Sequence, residues 1–120
     1  MDNTVTWFEV ATDDPAGVEQ FYGDLFGWTF APADGPIDYR TISYPGGGQP
    51  AGGLYNTEGR FPNHALFHVQ VPDVAAACAR SESLGGKVLF QEIGGEGPGT
   101  DFAYVSDTSG NLFGIFHQRS

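Results

Sequence analysis

Two ionisable residues, Glu9 and His68, occupy matching places in the sequence. When the chain is shifted by 59 residues, "WFEVATDDPAGVEQFYGDLFG" lies over "LFHVQVPDVAAACARSESLGG", and Glu9 coincides with His68. A desolvated carboxyl group and an imidazole can both titrate near neutral pH, so the two could serve as acid and base catalysts. The alternative is structural, because a buried carboxylate needs a hydrogen-bond partner and a histidine can supply one. As a metal site the pair is incomplete, since two ligands rarely hold a metal ion.

The same alignment indicates a duplicated unit, because the matches keep their order across a strand, a turn and a helix. Each copy starts with an alternating run, "VTWFEV" or "ALFHVQV", that is typical of a strand with two different faces. Asp14 and Asp73 then suit helix N-caps, and three shorter extended stretches follow each helix. We therefore predict a single α+β domain over residues 1–120. It contains a strand–helix–strand–strand–strand unit in residues 1–57 and again in residues 62–120.

Apolar residues at helical spacing predict the buried side of each helix. The first helix has Val18, Phe21, Tyr22 and Leu25 in this pattern, and the second has Val74, Ala77, Cys78 and Leu84. The only cysteine lies within the second stripe, where a thiol is usually a small buried apolar group, and no disulfide can form within the chain.

The charge of the chain excludes some partners. Lys and Arg total 5 against 15 Asp and Glu, which gives a formal net charge of −10. Phosphate backbones and anionic membrane surfaces would repel such a chain, so neither nucleic acid nor a membrane is an expected partner. The sequence has no signal-peptide pattern and no apolar run of membrane-spanning length, so we expect a cytoplasmic protein.

The motifs "WFEVATDD…FYGDLFGW", "GGLY" and "DTSGNLFGIF" resemble the vicinal oxygen chelate superfamily, which includes glyoxalase I, extradiol dioxygenases and bleomycin-resistance proteins. The resemblance extends over nearly the whole chain. It implies two βαβββ modules in tandem whose curved mixed sheet surrounds a central cavity, and it implies a homodimer. In the metal-dependent members, side chains from the first and fourth strands of each module hold a divalent metal ion, which polarises the substrate.

The motif alignment assigns these ligand positions to Trp7, Gly53, Leu66 and Gly114. Divalent metals need oxygen, nitrogen or thiolate donors, and an indole, a leucine and two glycines supply none from their side chains. We therefore expect neither a metal nor another cofactor at the superfamily positions.

Strand alternation predicts which side chains line the cavity instead. Trp7 and Glu9 would share one face while Phe8 and Val10 point to the helix, and Leu66 and His68 would repeat this arrangement. The glycines would leave room for a ligand. The predicted ligand-binding set is Trp7, Glu9, Gly53, Tyr55, Leu66, His68, Gly114 and Phe116. The alternative is that its aromatic residues simply fill a core.

Other candidates carry weaker signals. His64 lies near the junction of the two copies, and His117 falls on the opposite face from Phe116. The stretch "GGGQPAGG" lacks the Lys-Ser/Thr of a phosphate loop and is predicted to be a hairpin. Alternation does not decide the facing of Tyr39, Arg40 and Tyr104. Arg40 could pair with a ligand anion or with a surface carboxylate, and the surface carboxylate is the favoured partner.

The favoured function is that of a bleomycin-resistance-like protein that binds a small, aromatic organic molecule in a metal-free cavity, as in antibiotic resistance. One alternative is a metal-independent isomerase, epimerase or lyase that uses Glu9 and His68 as acid and base. A second is a metal-dependent lyase or dioxygenase with ligands at other positions. The sequence leaves open whether the protein is an enzyme.

Overall fold

The structure, a computed structural model, describes residues 2–35 and 37–120. Over these residues the chain forms eight strands and two helices. In chain order they are β1 (Thr4–Thr12), α1 (Pro15–Phe26), β2 (Thr29–Pro32), β3 (Tyr39–Ser43), β4 (Gly52–Asn56), β5 (His64–Gln70), α2 (Val74–Ser83), β6 (Lys87–Glu92), β7 (Gly99–Ser106) and β8 (Leu112–Arg119). The order β-α-β-β-β occurs twice, which confirms the predicted α+β class.

The chain separates into two compact units. Module one is residues 7–65, and module two is residues 66–120 together with the start of the chain up to Thr6. No helix in residues 2–35 or 37–120 is long and apolar enough to cross a membrane.

Module one is a four-stranded mixed sheet with the order β2-β3-β4-β1. β1 and β4 run parallel, and the other two pairs are antiparallel. α1 begins where the sequence indicates, because the Asp14 side chain accepts a hydrogen bond from the Gly17 amide at 3.2 Å. It ends at Gly27, whose φ of 75° is a left-handed conformation that glycine adopts without strain.

An aromatic cluster joins α1 to the sheet of module one. Trp28 contacts Phe8 at 5.5 Å, Tyr22 at 5.1 Å and Tyr44 at 5.7 Å between ring centroids. The prediction that the apolar stripe of α1 is buried was wrong for two residues, because Phe21 and Leu25 are 60% and 58% exposed. Tyr22 is the residue of this stripe whose ring contacts Trp28, so only part of the apolar side of α1 joins the aromatic cluster.

Module two repeats this topology with the order β5-β8-β7-β6, in which only β5 and β8 run parallel. The Asp73 side chain caps α2 by accepting from the Ala76 amide at 3.0 Å. Leu84 was wrongly assigned to the buried stripe: it follows the last turn of α2 and is 60% exposed. The core that α2 forms with the sheet is aliphatic and consists of Val71, Val74, Cys78, Ala103, Val105 and Ile115.

Cys78 lies in this core as predicted. It is 5% exposed, and burial, with a smaller contribution from the charge of Glu82, raises the pKa of its thiol. The thiol therefore remains protonated and acts as a small apolar group.

Candidate functional site

In module one, three side chains form a hydrogen-bonded chain. Trp7 and Glu9 lie two residues apart on β1, and Tyr39 reaches them from β3. The Trp7 Nε1–H donates to Tyr39 Oη at 2.9 Å, and the Tyr39 hydroxyl donates to Glu9 Oε1 at 3.1 Å. We call this the Trp7–Tyr39–Glu9 chain. Phe8, between Trp7 and Glu9, packs on Trp28 instead, as strand alternation predicts.

The middle member of the chain is a neutral phenol. Burial raises the pKa of Tyr39 well above its ordinary value, the negative charge of Glu9 raises it further, and the hydrogen bond from Trp7 lowers it. Tyr39 therefore keeps its proton at physiological pH and can donate it in a hydrogen bond. Glu9 is only 2% exposed, and this donation contributes to the hydrogen bonding that a buried carboxylate needs.

Gly53 on β4 makes room for the phenol. It lies opposite Glu9 in the parallel β1–β4 register. A Cβ atom at this position would overlap the Tyr39 hydroxyl and the adjoining ring carbons. The space that we predicted for a ligand is thus occupied by a side chain of module one itself.

Further rings continue from this chain. The Tyr55 ring lies 6.5 Å from that of Tyr39 and stacks on Phe61 at 6.0 Å with an interplanar angle of 17°. Arg60 Nη2 donates to the Tyr55 hydroxyl at 3.4 Å. Trp7, Tyr39 and Tyr55 are all partly exposed. We call Trp7, Glu9, Tyr39, Gly53 and Tyr55 the module-one site.

Module two has a histidine at the corresponding place. His68 on β5 is 5% exposed and lies opposite Gly114 of β8. A Cβ atom on Gly114 would overlap the imidazole ring, so this glycine also makes room for a side chain of its own module. Leu66, two residues earlier on β5, is 8% exposed.

Two aromatic rings surround the imidazole. Tyr104 of β7, which pairs with Gly114, lies 5.7 Å from the His68 ring at 63°, and Phe116 of β8 lies 6.2 Å away at 82°. Both contacts are edge-to-face, a favoured aromatic geometry, and both rings are partly exposed. We call Leu66, His68, Tyr104, Gly114 and Phe116 the module-two site.

The four superfamily ligand positions do not suit a metal ion. Trp7 uses its N–H as a donor, Leu66 has no donor atom, and the space beside Gly53 and Gly114 is filled. Within residues 2–35 and 37–120, no group of three or more His, Cys, Asp or Glu side chains could hold a metal ion.

The structure resolves the facing of three residues that the sequence left open. Tyr39 and Tyr104 lie beside Glu9 and His68, respectively. Arg40 pairs with Glu19 at 2.6 Å and with Asp38 at 3.4 Å, which confirms the expected surface ion pair. A glycine beside a large aromatic residue on the adjacent strand would indicate that Tyr39 belongs to the site. Recognising this arrangement requires the strand register, which a single sequence does not contain.

The remaining histidines contact backbone carbonyl groups. His64 Nδ1 lies 2.9 Å from the Pro62 oxygen, and His117 Nδ1 lies 3.2 Å from the Val71 oxygen. Because a carbonyl oxygen only accepts, Nδ1 carries the proton in both rings. Neither residue belongs to the two sites.

Comparison with known families identifies the chain. A family model described as "Glyoxalase-like domain" matches residues 7–116. The chain belongs to the glyoxalase-like domain family. A glyoxylase-like domain-containing protein of Didymella fabae is 31% identical over 120 residues, which cover 96% of this chain and 94% of the relative. The predicted membership of the vicinal oxygen chelate superfamily is confirmed.

Solved structures support the fold of this glyoxalase-like protein. Methylmalonyl-CoA epimerase from Mycobacterium tuberculosis is 15% identical with a TM-score of 0.65, covering 97% of this chain and 88% of the epimerase. A Streptomyces coelicolor methylmalonyl-CoA epimerase variant in complex with 2-nitronate-propionyl-CoA is 15% identical with a TM-score of 0.68 and complete coverage of both chains. The Mn(II)-bound glyoxalase from Novosphingobium aromaticivorans is 16% identical with a TM-score of 0.65, covering 99% of this chain and 41% of that one.

Proposed function

We propose that this glyoxalase-like protein binds a small organic molecule with an aromatic ring, without a metal ion at the superfamily ligand positions. The observation that carries the proposal is the use of the two glycine positions. The phenol of Tyr39 fills the space beside Gly53, and the imidazole of His68 fills the space beside Gly114. Ring groups therefore fill the space that metal-ligating side chains would occupy at these positions in metal-dependent members of the superfamily.

The aromatic residues support a ring-containing ligand. Trp7, Tyr39 and Tyr55 in the module-one site, and Tyr104 and Phe116 in the module-two site, are partly exposed. Ligand sites commonly combine aromatic walls with a few polar groups that fix orientation, and Glu9 and His68 are such groups.

The charge of the protein supports a neutral or cationic ligand. Three of its five basic residues are engaged by its own carboxylates: Arg40 by Glu19, Arg60 by Glu58 at 3.1 Å, and Arg119 by Asp101. Few cations are left to neutralise an anionic ligand, and the net charge of −10 opposes its approach.

Native mass spectrometry of the purified protein, followed by a thermal-shift screen of aromatic compounds, tests the proposal. We expect a saturable ligand, which stabilises the fold by about 2.7 kcal/mol at 100 times its Kd. Gly53→Ala displaces the Tyr39 hydroxyl and should weaken binding at least about 10-fold. Gly95→Ala is the matched control, because a Cβ atom at Gly95 contacts nothing within 4 Å.

Two results would contradict the proposal. One is the absence of saturable binding of any aromatic compound while the protein turns over a small metabolite. The other is a stoichiometric metal ion in elemental analysis of the protein as isolated.

A second candidate function is acid–base catalysis without a metal, in an isomerase, epimerase or lyase. The hydrogen bond from Tyr39 fixes the orientation of the Glu9 carboxylate, as a general base requires. In this case Glu9→Gln should keep ligand affinity and abolish turnover. Methylmalonyl-CoA, named for the structurally similar epimerases, is a first probe, with deuterium uptake from D2O measured by NMR. Deuterium uptake that is present in wild type and equally fast in Glu9→Gln would exclude the mechanism.

Three expectations from the sequence stay predictions. The first is that Glu9 and His68 each take part in ligand binding or catalysis, which Glu9→Gln and His68→Gln test by a loss of affinity or turnover. The second is a homodimer, measured by analytical ultracentrifugation. The third is a cytoplasmic location, which fractionation of the native cells tests.

A further inference from the structure

The Trp7–Tyr39–Glu9 chain uses up its own hydrogen-bond donors. An indole has one N–H and a phenol has one O–H. The Trp7 N–H donates its hydrogen bond to the Tyr39 oxygen, and the Tyr39 O–H donates its hydrogen bond to the Glu9 carboxylate. Because burial and the charge of Glu9 keep Tyr39 protonated, this direction of donation does not reverse at physiological pH.

The acceptors of the same chain are not used up. A carboxylate has about four lone-pair sites, and Tyr39 uses one of those on Glu9. Acceptor sites therefore remain on Glu9 even when it has a further partner. Tyr55 contributes a hydroxyl nearby that accepts from Arg60 and keeps its own O–H as a donor, but this hydroxyl lies outside the Trp7–Tyr39–Glu9 chain.

We propose that the Trp7–Tyr39–Glu9 chain binds ligand groups that donate N–H or O–H hydrogen bonds, such as a protonated amine or an amidine, in preference to groups that only accept hydrogen bonds. This inference rests on the proposed function and specifies its ligand class. A ligand carboxylate or phosphate finds no free donor in the chain and meets the Glu9 charge. An N–H donor finds a buried carboxylate, and charge-assisted bonds of this kind are among the stronger ones.

Tyr39 is the residue that determines this preference for hydrogen-bond donors. Without its hydroxyl, the Trp7 N–H would lose its acceptor and become available to an acceptor on a ligand. Tyr39→Phe therefore converts the chain from one that only accepts to one that also donates, while the ring that fills the space beside Gly53 is kept. If Tyr39 had only a structural role, Tyr39→Phe would change the stability of the protein without changing its preference between donor and acceptor ligands.

The first test needs no ligand. The protein has two tryptophans, so its 1H–15N spectrum has two indole N–H signals, and Trp28→Phe assigns the one from Trp7. We expect the Trp7 indole N–H to exchange slowly with solvent and to shift and exchange faster in Tyr39→Phe. A Trp7 indole signal that is unchanged in this variant, or that exchanges freely in the wild type, would overturn the inference.

The second test compares three small aromatic probes by NMR titration. Benzamidinium carries a charge and N–H donors, phenyltrimethylammonium carries the charge without donors, and benzoate is an acceptor. We expect wild type to bind benzamidinium at least about 10-fold more tightly than either of the others, which corresponds to 1.4 kcal/mol. Glu9→Gln should remove the advantage over phenyltrimethylammonium, and Tyr39→Phe should reduce the advantage over benzoate.

Long-range attraction is controlled in two ways. About 1 M salt, with a Debye length of about 3 Å, screens the net charge, and Glu96→Gln removes one exposed charge outside both sites. The preference for benzamidinium should survive both conditions. Its disappearance in either one, or equal affinities for the three probes in wild type, would overturn the inference. In the latter case the proposed function stands, because binding itself is observed. Binding of none of the probes would count against the inference, whereas the proposed function fails only by its own broader screen.

Discussion

The two modules meet the same geometric requirement with different side chains. In each one, a residue of the first strand lies opposite a glycine of the fourth strand: Glu9 opposite Gly53, and His68 opposite Gly114. In module one the space beside the glycine is filled by Tyr39 from the third strand, whereas in module two it is filled by His68 itself. The duplicated backbone thus fixes where a glycine is needed, and the side chain that uses the space is free to differ.

The helices differ between the modules as well. α2 places Val74 and Cys78 in an aliphatic core, whereas no residue of α1 is fully buried and an aromatic cluster around Trp28 joins it to the sheet. Substitutions on the apolar side of α2 are therefore expected to cost more stability than substitutions on the apolar side of α1.

The largest effect is expected from Gly114→Ala. The new methyl group would overlap the His68 ring, including Cγ at 2.8 Å, an atom that can move away only if the whole buried imidazole changes its χ1 rotamer. Overpacking of this kind costs typically 1–3 kcal/mol, and we expect about 2–3 kcal/mol. Urea unfolding measures the loss against Gly95→Ala as control. A loss below about 1 kcal/mol would mean that the imidazole can leave this space easily.

A smaller effect is expected from Gly53→Ala. Here the overlapping atoms belong to the far end of Tyr39, which can rotate away at the expense of its bond to Glu9. We expect a loss of about 1–2 kcal/mol. Tyr39→Leu shortens the side chain, so the double variant Gly53→Ala/Tyr39→Leu should be more stable than the two single losses together predict. Strict additivity in this cycle would contradict the close approach of Tyr39 and Gly53.

The change in stability at alkaline pH should report the protonation state of Tyr39 in the folded protein. Its pKa is raised in the folded protein, so the unfolded chain loses this proton first, and the contribution of Tyr39 to stability, complete below pH 10, falls as pH rises above about 10. Between pH 10 and 11 the contribution should fall by about 1 kcal/mol. Urea unfolding of wild type and Tyr39→Phe over this range measures the difference between them. A difference that does not change with pH would show that Tyr39 ionises normally in the folded protein.

These contrasts also show which features a single sequence carries. Period-two alternation placed Trp7 and Glu9 on one face of β1 and Phe8 on the other, because side-chain direction in a strand is a local property. Asp14 and Asp73 were recognisable as N-caps for the same reason. The partner of Gly53 was not predictable, because it depends on the register of β3 against β4, which is set by long-range packing. The exposure of Phe21 could not be foreseen either, since helical spacing identifies an apolar side but not the area that a sheet covers.

The smallest effect is expected from the apolar side of α1. Phe21 is 60% exposed, so Phe21→Ala should change the unfolding free energy of the isolated chain by less than about 0.5 kcal/mol. Val74, which is 1% exposed in module two, is the matched contrast, and Val74→Ala should cost more because it leaves a cavity in a closed aliphatic core. Urea unfolding should be repeated at several protein concentrations. If the predicted homodimer covers α1, the loss in Phe21→Ala will grow with concentration, because association adds to the stability of the folded chain. A large loss that does not depend on concentration would mean instead that Phe21 supports module one directly, and the contrast between the two helices would be wrong.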